Sequence, residues 1–329
     1  MGTLSRTAGP ARPVSRTQAL LNLLRDGDEL AHAVTFAFAA TILLITILLV
    51  YELWINSGLA RHKFGFSFFY TSTWDPVFGQ FGSLPFIYGT LVTTAVSLTI
   101  AVPLGIGAAI FLSELAPPKL SRGLSFIIDL LAAVPSVIYG LLAVFTLVPV
   151  MRSEIEPFLK KTLGFLPLFK GPAYGVGFLT AGIVLAVMTV PYIISVSREV
   201  LLAVPQDQRE ASLGLGATRW ETTWKVVVSY AGAGIMGSIF LSMARALGET
   251  MAVTMVIGNQ PKVSASLLSP GYSIASVIAN EYAEAAGNLH LSALTELGLV
   301  LLLLTLVLNA LARILIIMTA RKGSGVQGQ

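Results

Sequence analysis

Apolar residues run through this chain in long blocks, separated by shorter polar stretches. A helix that crosses the hydrocarbon core of a bilayer needs about 20 such residues. Six blocks meet that length: Ala33–Trp54, Leu84–Leu112, Leu124–Met151, Tyr174–Val196, Ala231–Ile257 and Ala293–Thr319. The pattern predicts an all-α integral membrane protein with six transmembrane helices. Pro103, Pro135 and Pro191 fall inside the second, third and fourth blocks. Membrane helices tolerate proline where a neighbouring helix or water takes the freed carbonyl. Kinked, glycine-rich helices in a bundle therefore point to a pathway more than to a passive anchor.

Residues 1–32 are polar, with Pro10, Pro13 and four arginines, and are expected to form a disordered leader. The apolar block after it is too long for a signal-peptide core and is not followed by a small-residue cleavage site, so the first span is expected to be retained. The transmembrane domain is expected over 33–319, including a polar loop at 197–229, with a short tail at 320–329. A second polar stretch, Ile55–Ser83, is rich in aromatic residues, which favour the boundary between water and lipid.

Composition supports the membrane assignment. Hydrophobic residues make up 55% of the 329, charged residues only 12%, and the mean hydropathy is +0.79. Soluble domains carry about 25% charged residues, so lipid has to solvate most of this surface. There is no cysteine, which excludes disulfides, thiolate metal sites and cysteine nucleophiles. His32, His62 and His290 are scattered, so no metal site is expected. The net charge of +4 is modest, and its placement says more than its size. If the N-terminus is cytoplasmic, 13 of the 21 Lys and Arg residues lie inside, 7 lie outside, and Arg245 lies within a span. The bias predicts that both termini are cytoplasmic. The basic group Arg152, Lys160, Lys161 and Lys170 runs against it.

The 197–229 loop reads SREVLLAVPQDQREASLGLGATRWETTWKVVVS. Pro205 suits the start of a helix, and Gly214 and Gly216 suit its end, which predicts a short amphipathic helix over Gln206–Leu213. Glu210, Ala211 and Ser212, followed three residues later by Gly216, resemble the EAA loop of ABC importer permeases. Farther on, Val226, Val227, Val228 and Ser229 stand where that family often has Ile-x-Leu-Pro. WDPVFGQFGSLPFIYGT (74–90), AVPLGIGAAIFLSELAP (101–117), LLAAVPSVIYGL (130–141) and ARALGETMAV (244–253) are similar to the PstC-type permeases of phosphate-specific ABC importers.

That resemblance implies a type I, MetI-like permease fold in the bacterial cytoplasmic (inner) membrane. It implies that phosphate is the cargo and that the 206–213 helix couples to an ATPase. It also implies partners: a second, PstA-type permease, two PstB-type ATPase subunits and an external PstS-type phosphate-binding protein. The chain has no GxxxxGK[ST] loop, so ATP and magnesium are expected in the partner ATPase and no cofactor in this non-catalytic chain. Gly232-Ala233-Gly234-Ile235-Met236-Gly237 fits G-x-G-x-x-G, but it lies in a span with no strand before it, and close helix packing explains it better. Nothing suggests nucleic-acid binding.

Arg245 and Glu249 lie within the fifth block, on one face at helical spacing. A lone arginine at the centre of a membrane helix costs roughly 2.5–3.5 kcal/mol on insertion scales. The pair is either a self-neutralising structural contact or part of the translocation path. In the second reading Arg245 attracts the anion and Glu249 keeps it from binding too tightly. Small neighbours, Gly237, Ser238, Ala244 and Gly248, leave space there and favour the path. Ser136 and Tyr139, beside Pro135, are weaker path candidates. Asp129 is expected to pair at the interface with Arg122, and Glu52 and Glu296 to lie near headgroups. The competing readings are a permease for sulfate or molybdate, an ATP-independent anion transporter or channel, and an intramembrane hydrolase. The last lacks a Ser–His or metal constellation.

Overall fold

The computed structural model describes residues 28–324; the predicted leader up to residue 27 and the last five residues of the tail lie outside it. The chain divides into two units at Ile55. The first consists of helix α1 (Asp28–Asn56), apolar along most of its length. The second holds α2 (Gly58–Phe64), α3 (Ser67–Tyr70), α4 (Leu84–Leu115), α5 (Pro118–Ala133), α6 (Ser136–Leu163) and α7 (Phe178–Leu202). It continues with α8 (Gln206–Gly214), α9 (Arg219–Leu247), α10 (Met251–Val256), α11 (Ile274–Glu281) and α12 (Asn288–Ser324). Six helices, α1, α4, α6, α7, α9 and α12, are long and apolar enough to cross a membrane. The protein is all-helical among the described residues, with one isolated bridge at Asp75–Gln80.

Lipid tails give apolar helices no reason to prefer one another, so association depends on close approach and hydrogen bonds. The most extensive contact, between α4 and α7, uses both. Ile193 fills the space left by Gly105, and Val96 the space left by Gly182. The Ser97 and Thr189 hydroxyls meet at 3.3 Å inside the same interface. Thr90, Thr93 and Thr189 return their hydroxyls to carbonyls four residues back, so no buried donor in this group is left free. Pro103 and Pro191 sit inside α4 and α7 without ending them.

Two predicted spans are corrected. The third block, Leu124–Met151, is not one helix: the chain stops at Ala133 and restarts at Ser136. Its apolar count had joined the end of amphipathic α5 to the start of α6. The fifth block, Ala231–Ile257, is likewise two helices, α9 and α10, parted at Gly248–Thr250. In addition, α7 runs on to Leu202 and α9 starts at Arg219, so helix occupies both ends of the 197–229 stretch around α8. Glu296 lies two turns into α12 and is 4% exposed, packed within the protein.

The aromatic stretch Ile55–Ser83 also differs from a surface-lying loop. Phe68 and Phe81 are buried with Phe86 in a core against α11 and α12, whereas Phe66, Tyr70, Val77 and Phe78 stay exposed. The Trp74 indole donates to Glu281 Oε2 at 2.9 Å, and His290 Nε2 lies 3.1 Å from the same oxygen. Phe81 stacks on His290 at 5.3 Å. Nearby, burial pushes the Tyr272 hydroxyl up to about 12, and it stays a neutral acceptor for Asn280. These contacts close the end of the bundle where α4 begins, far from α8.

Gly182→Ala would place a methyl 2.4 Å from Val96 Cγ1, and overpacking of that kind costs about 1–3 kcal/mol. Thermal unfolding in detergent should show the loss for Gly182→Ala. Gly107→Ala, with nothing within 4 Å of the added carbon, should leave the midpoint unchanged.

Candidate functional site

The two helix breaks assemble the site. Pro135 has no N–H and forces the residue before it out of helical geometry; Val134 accordingly has ψ 130°. The break would leave the carbonyls of the last α5 turn unpaired. One of them, Leu131, accepts the Tyr139 hydroxyl at 2.8 Å and the Val134 N–H at 3.2 Å. Tyr139 thus staples the break, and its hydroxyl is committed to that bond. Ser136 is the first residue of α6.

The second break adjoins the first. Helix α10 packs on the first turns of α6. A Cβ at Gly140 would fall 2.6 Å from Met255 Sδ and 3.1 Å from Ala252 Cα, so a larger residue there would push the two broken helices apart. Tyr139, Ala143, Ala246, Ala252 and Val256 share one apolar cluster.

Arg245 occupies the last turn of α9 and is exposed. Glu249 lies in the break itself, and its Oε1 accepts the Ala252 N–H of α10 at 3.3 Å. The predicted ion pair does not form: among the described residues no carboxylate comes within 4.0 Å of Arg245. The order Arg before Glu is unfavourable within one helix. Across a break it becomes favourable, with the cation at the C-terminus of α9 and the anion at the N-terminus of α10. The guanidinium carbon instead sits 5.6 Å from the centre of the Tyr192 ring on α7, a cation–π contact that leaves its charge uncompensated.

Sequence reasoning missed Tyr192 and the polar residues below it. Ser195 donates to Asp129 Oδ1 at 2.9 Å, joining α7 to α5, and Arg198 pairs with Glu199 at 2.8 Å. Asp129 therefore bonds across the bundle to α7, and among the described residues it has no ion pair with Arg122. The signal was present, since Tyr192, Ser195 and Glu199 recur at helical spacing on one face of α7. Gly234, from the G-x-G-x-x-G string, packs against Val200, where a Cβ would lie 2.3 Å from Cγ1.

At the α8 end, Glu210 and Ala211 are exposed, and the Ser212 hydroxyl lies 3.0 Å from that of Thr222 on α9. Gly216 has φ +89°, which only glycine adopts without strain. Thr218 and Glu221 then form a capping box that starts α9. Leu213, Leu215, Trp220 and Trp224 are exposed, Leu215 at 91%. Without the proline of the Ile-x-Leu-Pro pattern, the chain passes from α8 into one uninterrupted helix through a π turn at Thr223–Val227.

Residues 101–317 match the family described as binding-protein-dependent transport system inner membrane component. The chain belongs to this family. Within it, the phosphate transport system permease protein PstC of Mesorhizobium japonicum is 43% identical over 302 residues, covering 90% of this chain and 92% of that one. The PstC protein of Pasteurella multocida is 45% identical over 313 residues, with 93% and 98% covered. An inward-facing structure of the MetNI methionine ABC transporter superposes with a TM-score of 0.54 at 17% identity, covering 75% of this chain and 99% of that one. A bacterial alginate ABC transporter superposes with a TM-score of 0.56 at 16% identity, covering 89% and 98%. At such identities these structures report the fold alone, and that fold is the MetI-like one. As a binding-protein-dependent transport component, the chain is a multi-pass membrane protein that works with other subunits.

The two roles open to Glu249 separate by substitution. Glu249→Ala removes the acceptor for Ala252 N–H and should lower stability by about 1 kcal/mol, the usual value of a helix cap. Glu249→Gln keeps an acceptor and should unfold at the wild-type midpoint. Equal losses for both in a detergent melt would mean that the charge, and not the cap, is what matters.

Proposed function

We propose that this chain is one of the two permease subunits of an ATP-driven importer of inorganic phosphate, lying in the bacterial cytoplasmic membrane with both termini inside. The observation that carries this reading is the 43–45% identity to PstC proteins along nearly the whole of both chains. A second, PstA-type permease completes the pathway. Two PstB-type ATPases bind ATP and magnesium, and a PstS-type protein delivers phosphate from outside. This chain forms and breaks no covalent bond. Glu210, Ala211, Ser212 and Gly216 present α8 to an ATPase, and the bundle converts the resulting displacement into alternating access.

Arg245 is the leading phosphate contact. It is an exposed cation with no carboxylate partner among the described residues, seated on an aromatic ring between two breaks in the bundle. Phosphate keeps at least one negative charge at neutral pH, and a guanidinium matches two of its oxygens at once. Glu249 lies four residues on, close enough in sequence to limit how tightly the anion is held, while also capping α10. Ser136 and Tyr139 line the adjoining break, with Tyr139 contributing its ring more than its committed hydroxyl.

Arg245→Gln should assemble with its partners and retain basal ATP hydrolysis. A hydrogen bond to a charged group is worth about 1.5–3 kcal/mol, so phosphate uptake into vesicles should fall on the order of 10-fold or more. Wild-type uptake by this variant would remove Arg245 from the path. Failure of the wild-type complex to import phosphate, with uptake of sulfate or molybdate instead, would overturn the cargo.

A further inference from the structure

Helix α8 lies on the surface: all its residues except Arg209 and Ser212 are exposed, and those two are half-buried. An element that lies on the surface in this way can transmit a push only through the few bonds that tie it down. Most of those bonds converge on Arg209. Its Nη2 lies 2.9 Å from Glu114 Oε1 and its Nε 3.3 Å from Glu114 Oε2, a two-bond fork onto the last turn of α4. Nη2 also donates to the Leu201 carbonyl in the last turn of α7 at 2.8 Å, and Nη1 donates to the Val204 carbonyl just past its end. The side chains of Arg209 and Glu114 are only 14% and 11% exposed. Leu201 and Val204 are buried in the cluster that joins α4, α7 and the start of α9. The flanking Asp207, Gln208 and Glu210 are exposed. One guanidinium thus occupies the centre of a joint between α8, α4 and α7, in the two helices with the most extensive contact in the bundle. The other inward tie from α8, Ser212 to Thr222, leads to α9.

From this geometry we propose that Arg209 is the positioning residue that carries displacement of α8 into α4 and α7, with Glu114 as its fixed end. The proposal rests on the reading of α8 as the ATPase-coupling helix. Lysine cannot replace arginine here, because a single ammonium cannot hold the carboxylate fork and two carbonyls in one plane. Breaking the pair from either side leaves the remaining buried charge uncompensated.

The test uses the complex purified with its native ATPase and carries a reporter cysteine, Leu104→Cys, at an exposed position on α4 in a chain that otherwise has no cysteine. In the Arg209 background, adding ATP should change the rate of maleimide labelling at position 104. In Arg209→Lys and Glu114→Gln that ATP-dependent change should shrink by about fivefold or more, the low end of coupling between sites, with the ATPase still co-purifying. A merely structural role would lower yield or melting temperature and leave the ATP response intact. A full ATP response in both variants overturns the proposal, as does its absence in the background complex. Loss of the ATPase from the variants also overturns it, because Arg209 would then serve assembly and not transmission. A second chain covers misfolding: with Arg209→Cys and Glu114→Cys in place of the pair, a bismaleimide bridge between the two positions should restore ATP-dependent uptake, and no restoration sinks the idea. Phosphate uptake by the unsubstituted complex is scored separately and tests only the functional reading, because the labelling response needs ATP and not phosphate.

Discussion

In a bilayer no water is available to take a stray carbonyl or amide, so each interruption of a helix has to be repaired from within the protein. This bundle is organised around two such repairs. At Pro135 the Tyr139 hydroxyl takes the Leu131 carbonyl, and past Gly248 the Glu249 carboxylate takes the Ala252 amide. The breaks lie together because Gly140 lets α10 approach the start of α6. Irregular backbone from two helices is thereby gathered at one place, and the exposed Arg245 sits over the Tyr192 ring one turn before the second break. The same residues that make the site chemically interesting are the ones that keep it folded.

A division of labour follows between the two ends of the molecule. Where α4 begins, Trp74, Glu281, His290 and the buried phenylalanines form a tightly packed, polar-stapled cap. Where α4 ends, α8 lies on the surface, tied down by Arg209 and Ser212, with leucines and tryptophans exposed beside it. One end is closed by packed aromatic rings and the other carries an exposed helix held by few bonds. The long α4–α7 contact, locked by Gly105 and Gly182, connects them as a nearly rigid strut.

Much of this was legible from residue order. Six apolar runs of membrane length gave six crossing helices, and Pro205, Gly214 and Gly216 bounded α8 to within a residue. Run length failed where a run contained a break, because Val134 and Gly248 are as apolar as their neighbours and only Pro135 hinted at a stop. The Arg245–Glu249 spacing was read as a pair on one helix. The break at Gly248 turned it into two separately stabilised charges, a change invisible to a rule that counts by four. Tyr192 was missed for another reason: its polar face with Ser195 and Glu199 is legible on α7, but nothing in residue order links that face to Arg245 on another helix. The aromatic loop misled because rings that suit a lipid interface suit a buried core equally well. Composition and spacing identified a six-span membrane protein whose kinked helices point to a pathway; the importer class and its cargo came only from resemblance to relatives.

The π turn at Thr223–Val227 accommodates one residue more than an α turn of the same rise. Everything beyond it is set back by roughly one residue's rotation, about 100°. Arg245 lies about five turns farther along the same helix. Its bearing relative to α8 therefore includes an offset introduced where the chain leaves the α8 loop, about five turns from the residue itself. A helix wound in this way works like a shaft with its keyway cut at one end: indexing at the near end shifts where the side chain at the far end faces.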